Sequence, residues 1–186
     1  MPKFAASLAV LCLLAAGGAQ AQMANNTNPD LQFAHKAASS GAAEVALGKM
    51  ALDKSSRQDV RDFAQRMVDD HTKLNGQMAQ LAQHQHLRLP KQAVGEDAEA
   101  VKRLSSLSGP EFDRAYMTLM TQDHRRDVAA FEKEASEGSV PPIKTLASKA
   151  VPTLRQHLAM AEQLQQAVGE ERAQAGSSRS STSRPQ

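Results

Sequence analysis

Apolar and small residues recur along this chain at the three-to-four-residue spacing of amphipathic helices, in four long runs. Asn28-Pro29 supplies a cap followed by proline in the first turn, and Phe33, Ala37, Gly41, Leu47 and Ala51 carry a first helix over 29–53. Ser56 with Asp59 resembles a capping box. After it Val60, Phe63, Ala64, Met67, Leu74, Met78 and Leu81 hold helical spacing to about residue 85. The stretch 86–108, with Pro90 and Gly95, reads as a connector that includes one short helix on Ala98, Val101 and Leu104. Ser108 with Glu111 forms a second capping box. Phe112, Tyr116, Met120, Val128 and Phe131 then carry a third long helix to a stop at Gly138. Pro141-Pro142 open a fourth, with Ile143, Leu146, Ala150, Leu154, Leu158, Ala161 and Leu164 on one face. Pro152 predicts a kink there, because proline removes a backbone donor. Gly169 predicts the end of that helix.

The links between helices one and two and between three and four are short, so each pair forms a hairpin. The connector 86–108 is long enough to return along the molecule, which leaves helices two and three parallel. The fold class is therefore all-α: a ferritin-like four-helix bundle over 29–169, with a crossover holding a short helix. An up-down-up-down bundle with a small fifth helix is the alternative.

The two ends read differently. Lys3, an apolar run from Ala5 to Ala16 and the Ala19-Gln20-Ala21 site form a secretory signal peptide over 1–21. Residues 22–28 are a short leader. The run is too short to span a bilayer, which needs roughly 20 apolar residues, and no later segment would cross one. The mature chain is expected to be exported, with the periplasm the best-fitting compartment. Its only cysteine, Cys12, lies within the signal, so no disulfide can form after cleavage. The tail 170–186 is Ser/Arg-rich with little to bury and is expected to be disordered.

Composition narrows the function. Lys and Arg number 22 against 20 Asp and Glu, which excludes a strongly basic nucleic-acid binder. Aromatic content of 3% argues against a β-sandwich and against a base-stacking sheet. No nucleophile elbow, dinucleotide fingerprint or phosphate loop is present, so a hydrolase or transferase reading has no support.

The chemistry lies on the apolar faces. Phe63, Met67, His71, Leu74 and Met78 share one face of helix two, and Tyr116, Met120, His124 and Phe131 share one face of helix three. Aromatic, Met, Asp and His repeat between the two at a separation of 53 residues, so that Asp70-His71 matches Asp123-His124. His157 falls on the stripe of helix four and Glu44 on that of helix one. Counted from their turn, His124 and His157 differ in depth by three residues, about 4.5 Å at the helical rise.

Glu44, His71, His124 and His157 are thus candidate ligands for Fe, Zn, Cu or Mn, since imidazole and carboxylate donors in a bundle core make such sites. Met67 and Met120 are accessory candidates whose thioethers would favour copper. Asp70 and Asp123 are candidates to hold a histidine from behind. The competing reading makes the histidines packed core residues. His84-Gln85-His86 reads as a helix C-terminus rather than a surface metal pair.

The segments Gln32 to Lys49, Phe63 to Asn75, Ser108 to Tyr116, Asp123-His124 and Val151 to Leu158 together resemble the bacterial domain of unknown function 4142 family, over about residues 29–168. The resemblance implies an exported ferritin-like helical bundle and supplies no activity. Ferritin-like di-iron enzymes carry Glu-x-x-His on two helices. Here Val68, Thr121 and Leu154 stand three before the histidines, so di-iron chemistry has no ligand set. Three readings follow. The favoured one is a non-enzymatic bundle that binds one metal; the others are a metal-dependent redox enzyme and a structural or partner-binding module with packed histidines.

Overall fold

The structure is a computed structural model that describes residues 28–181, with side chains to residue 170. Among them the chain is all-helical: α1 Pro29–Lys54, α2 Gln58–His84, α3 Glu96–Ser105, α4 Gly109–Glu137 and α5 Pro141–Ser181. The signal peptide and residues 182–186 of the tail lie outside the described residues.

Local chemistry explains some helix ends and corrects others. Asn28 caps α1 as expected, its side-chain oxygen accepting from the Asp30 N–H at 2.9 Å, with Pro29 in the first turn. Neither proposed capping box forms. Arg57, not Ser56, occupies the cap of α2, and Asp59 is taken by the Arg57 guanidinium at 3.0 and 2.7 Å. Ser108 caps α4 by backbone position alone. Gly109 follows it in the left-handed region (φ 54°), which swings the chain so that the serine hydroxyl makes no cap bond. At the end of α2, His86 takes a left-handed conformation (φ 53°) and the Leu87 N–H reaches the Ala82 carbonyl at 2.8 Å. That is a Schellman-type stop, with histidine where glycine is usual. Helix α5 passes Pro152 unbroken and also passes Gly169, the expected stop; the run Glu170 to Gln174 is made mostly of good helix formers.

The helices pair as α1 with α2 and α4 with α5, with further packing of α1 on α4 and α2 on α5. Gly48 permits close approach in the first hairpin. A Cβ there would stand 2.9 Å from Val68 Cγ2 and 3.1 Å from the Ala64 carbonyl. The segment between α2 and α4 lies against α1: Ser39 Oγ donates to Asp97 at 2.5 Å, and Lys54 Nζ donates to the Ser105 and Leu107 carbonyls at 2.5 and 2.7 Å. Asp30, buried at the start of α1, accepts from the Ser139 and Val140 N–H groups at 2.6 and 2.5 Å and so ties down the α4–α5 turn.

The core is layered. One apolar cluster gathers Leu47, Val60, Phe63, Met67, Leu104, Phe112, Tyr116 and Met120. Two more, toward the start of α1, gather Ala34, Met78 and Ile143, and Phe131, Ala147 and Leu154. Along α2, α4 and α5 the residues between those clusters are His71, His124 and His157, all buried. A polar layer is therefore held between apolar ones.

Candidate metal centre

Four helices each deliver one ionisable side chain to this layer: Glu44 from α1, His71 from α2, His124 from α4 and His157 from α5. Each comes from an apolar stripe, and the 53-residue repeat has a direct consequence in space. Phe63 meets Tyr116 with ring centroids 6.1 Å apart, and His71 meets His124 at 5.5 Å. Matched positions of α2 and α4 face one another. His157 completes the triangle, 5.3 Å from His71 and 5.4 Å from His124. One nitrogen from each ring falls in a group whose members all lie within 4.8 Å of one another.

The other side of each ring faces an oxygen. His157 Nε2 lies 2.8 Å from Asp70 Oδ2, and His124 Nδ1 lies 2.9 Å from the Met120 carbonyl. Each neutral ring donates its N–H there, which assigns the tautomer and leaves a lone pair on His157 Nδ1 and His124 Nε2. Those two atoms are buried and make no hydrogen bond. His71 Nδ1 stands 2.8 Å from Glu44 Oε2, but the approach is off the hydrogen-bonding direction, so it is a close polar contact; His71 Nε2 is also buried and unbonded. The second Glu44 oxygen is 3.5 Å from His124 Nδ1. Glu44 thus lies on the Nδ1 sides of His71 and His124, away from their free Nε2 atoms.

Burial sets the protonation. It pushes His71, His124 and His157 each down to about 4, so all three rings are neutral at pH 7. It pushes Glu44 up to about 7, against the pull of His124. Three buried lone pairs with no donor to meet them are costly, on the order of 1–3 kcal/mol for each unsatisfied group. Three neutral imidazoles converging at this spacing suit a transition-metal ion. Bonds of about 2.0–2.1 Å in a tetrahedral set would bring the nitrogens about 1.5 Å closer together than 4.8 Å.

The other sequence candidates are placed as follows. Asp70 does back a histidine. Asp123 pairs with Arg126 instead, and burial raises its carboxyl. Met67 and Met120 are fully buried in the apolar cluster with Leu47 and Phe63. His84 and His86 are exposed at the end of α2. One residue went unread: Asp127, whose carboxylate accepts from Ser40 Oγ at 3.3 Å. Burial first, then the Glu44 charge, holds it well above the usual carboxylate range. The signal for it was the repeat itself, since Asp127 stands 53 residues after Leu74 on the same stripe. Tyr116, on the expected stripe, has its hydroxyl buried without a hydrogen bond, and burial raises it.

Solved structures with this fold include a DUF305 protein from Streptomyces coelicolor (21% identity, TM-score 0.63, 76% of this chain and 94% of that one). A DUF305 fragment from Deinococcus radiodurans is similar (21%, 0.65, 77% and 97%), as is CopM in its Cu(II)-bound form (14%, 0.61, 75% and 96%). No curated protein matches the chain. The family model described as a domain of unknown function, DUF4142, matches residues 15–164, which bears out the resemblance in the sequence: the chain belongs to the DUF4142 family.

Proposed function

We propose that this protein is an exported, ferritin-like four-helix bundle that holds one transition-metal ion on His71, His124 and His157. In this reading 86–108 is the crossover. Its anchoring beside Ser39 and Lys54 supports that, and the facing of Phe63 with Tyr116 and His71 with His124 supports parallel α2 and α4. The ion is bound by His71 Nε2, His124 Nε2 and His157 Nδ1. Glu44, the Met120 carbonyl and Asp70 hold the rings from behind, which makes Glu44 a positioning residue rather than a ligand.

The observation that carries the reading is the pairing of one oxygen-facing nitrogen with one buried, unbonded nitrogen on each ring. Outer oxygens of this kind fix tautomer and orientation in histidine metal sites. Copper is the first metal to test, because one structural relative is a Cu(II)-bound protein; zinc is the second, because it favours three-histidine sets. The role assigned is binding, in storage, buffering or protection. A redox enzyme is the second reading, and it requires copper or iron rather than zinc on the three histidines.

Elemental analysis of natively exported protein, purified without a histidine tag, tests the proposal. About one ion per chain is the expected result. A metal-free protein that takes up none on dialysis against Cu(II) or Zn(II) would remove the proposal.

A further inference from the structure

We propose that the cavity between α1, α2 and the segment 87–91 takes the hydrocarbon chain of a free fatty acid, with Arg88 and Lys91 holding its carboxylate. The cavity includes neither Glu44 nor any of the three buried histidines, so the inference stands apart from the metal reading.

The cavity measures about 790 Å³. Sites for small organic molecules run from roughly 300 to 1,000 Å³. Its helical walls are largely apolar: Ala38 and Ala42 from α1, and Met78, Ala79 and Ala82 from α2. The alanines end at Cβ, which keeps the space between the two helices open. Leu87 and Leu89 line the connector side, half-buried against the cluster of Ala34, Ala38 and Met78. The polar side chains that the helices add are the neutral amides of Asn75 and Gln83. A lining of this kind gains by taking hydrocarbon out of water.

Charge sets the headgroup. Arg88 and Lys91 are the charged residues of the lining, and it holds no carboxylate. Both are exposed, and neither pairs with a carboxylate among the described residues. From His84 to Gly95 the chain has no Asp or Glu to neutralise them. A guanidinium offers a carboxylate two parallel N–H donors, and a nearby ammonium adds a second charge. Apolar walls beside two unpaired cations fit an anion with a hydrocarbon tail.

Calorimetric titration of the full chain with octanoate, decanoate and dodecanoate, each below its micelle concentration, tests the proposal. Affinity should rise at least tenfold with each two methylenes, since burying one tightens binding about fourfold. Dodecyltrimethylammonium, with the same tail and the opposite charge, should bind at least tenfold more weakly than dodecanoate. Arg88→Glu with Lys91→Glu, both at exposed positions, should weaken dodecanoate at least tenfold and leave the helical circular dichroism unchanged. Ala79→Trp, which fills the cavity from an exposed position, should abolish binding. No dodecanoate binding by wild type overturns the proposal. So does equal affinity for the cationic amphiphile, or dodecanoate affinity unchanged in both variants. Binding to phosphatidylglycerol vesicles without binding of free dodecanoate overturns it as well, and makes the connector a contact for anionic membrane surfaces.

Discussion

At the scale of single residues, the histidines are set apart by what they lack. A buried imidazole normally satisfies both nitrogens. His124 and His157 satisfy one each, and His71 has only its off-axis contact with Glu44. Asp70 fixes which nitrogen of His157 is free. Asp70→Asn can present an amide N–H instead of an acceptor, so it should weaken metal binding about 10–100-fold with stoichiometry intact, as read by competition with a chromophoric chelator. Protonation gives a second prediction. Free histidines would lose metal as pH falls through about 6.5. Here burial has already moved all three to about 4, so the loss of affinity from histidine protonation should come below pH 5 in a chelator titration across pH, and a change near pH 7 should vanish in Glu44→Gln, since Glu44 is pushed up to about 7. The same shifts act on apo stability. The unfolded chain takes up protons on its histidines near 6.5 and the folded chain only near 4, so each histidine costs stability as pH falls between those values. Relative to wild type, apo His124→Leu should gain stability across that window, on the order of 1 kcal/mol per pH unit.

At the scale of elements, the hairpins depend on a few contacts that sequence patterns do not display. Gly48 sits where α1 meets α2, with Val68 and the Ala64 carbonyl inside the space of a Cβ. Gly76, on the exposed side of α2, has nothing within 4 Å of that position. Helix propensity alone favours alanine over glycine by about 1 kcal/mol. Gly76→Ala should therefore raise stability by about that amount, and Gly48→Ala should lower it by about 1–2 kcal/mol through overpacking, in paired denaturant unfolding curves. Asp30 is a second such contact. Asp30→Ala strips the acceptor from two backbone donors at the α4–α5 turn and should cost about 1–3 kcal/mol. The helices themselves were legible, because their apolar spacing persists over five or more turns and Pro29, Gly138 and Pro141 punctuate it. The caps at Ser56 and Ser108 were not. Asp59 had a nearer cation in Arg57, and Gly109 turned the backbone away. Competition between partners of that kind is invisible to a residue-spacing rule. In the site, the stripe positions and the repeat placed Glu44 and the histidines together, but Glu44's place behind the rings depends on side-chain torsions that no pattern encodes.

At the scale of the whole molecule, the polar layer needs α1, α2, α4 and α5 all in place, since each gives it one residue. No hairpin alone assembles the three histidines. A ligand bound only by the folded state stabilises the whole molecule in proportion to its concentration over its Kd. At 100 times Kd the gain is about 2.7 kcal/mol. The apo protein instead carries the cost of a buried polar layer between apolar ones, and that cost is what metal binding would repay. Among the described residues no helix is long and apolar enough to cross a membrane. The fold shared with the DUF305 structures and CopM extends over nearly the full length of those chains.

The most direct test is equilibrium unfolding of wild type and His124→Leu, each with and without Cu(II) or Zn(II). The account predicts that metal raises the wild-type midpoint with increasing concentration. It predicts that the variant is about 1 kcal/mol more stable than wild type when both are metal-free, because an unsatisfied buried nitrogen is gone, and that metal does not shift the variant. A wild type indifferent to metal, with a variant destabilised by about 1–3 kcal/mol, would instead make His124 a packed structural residue and contradict the account.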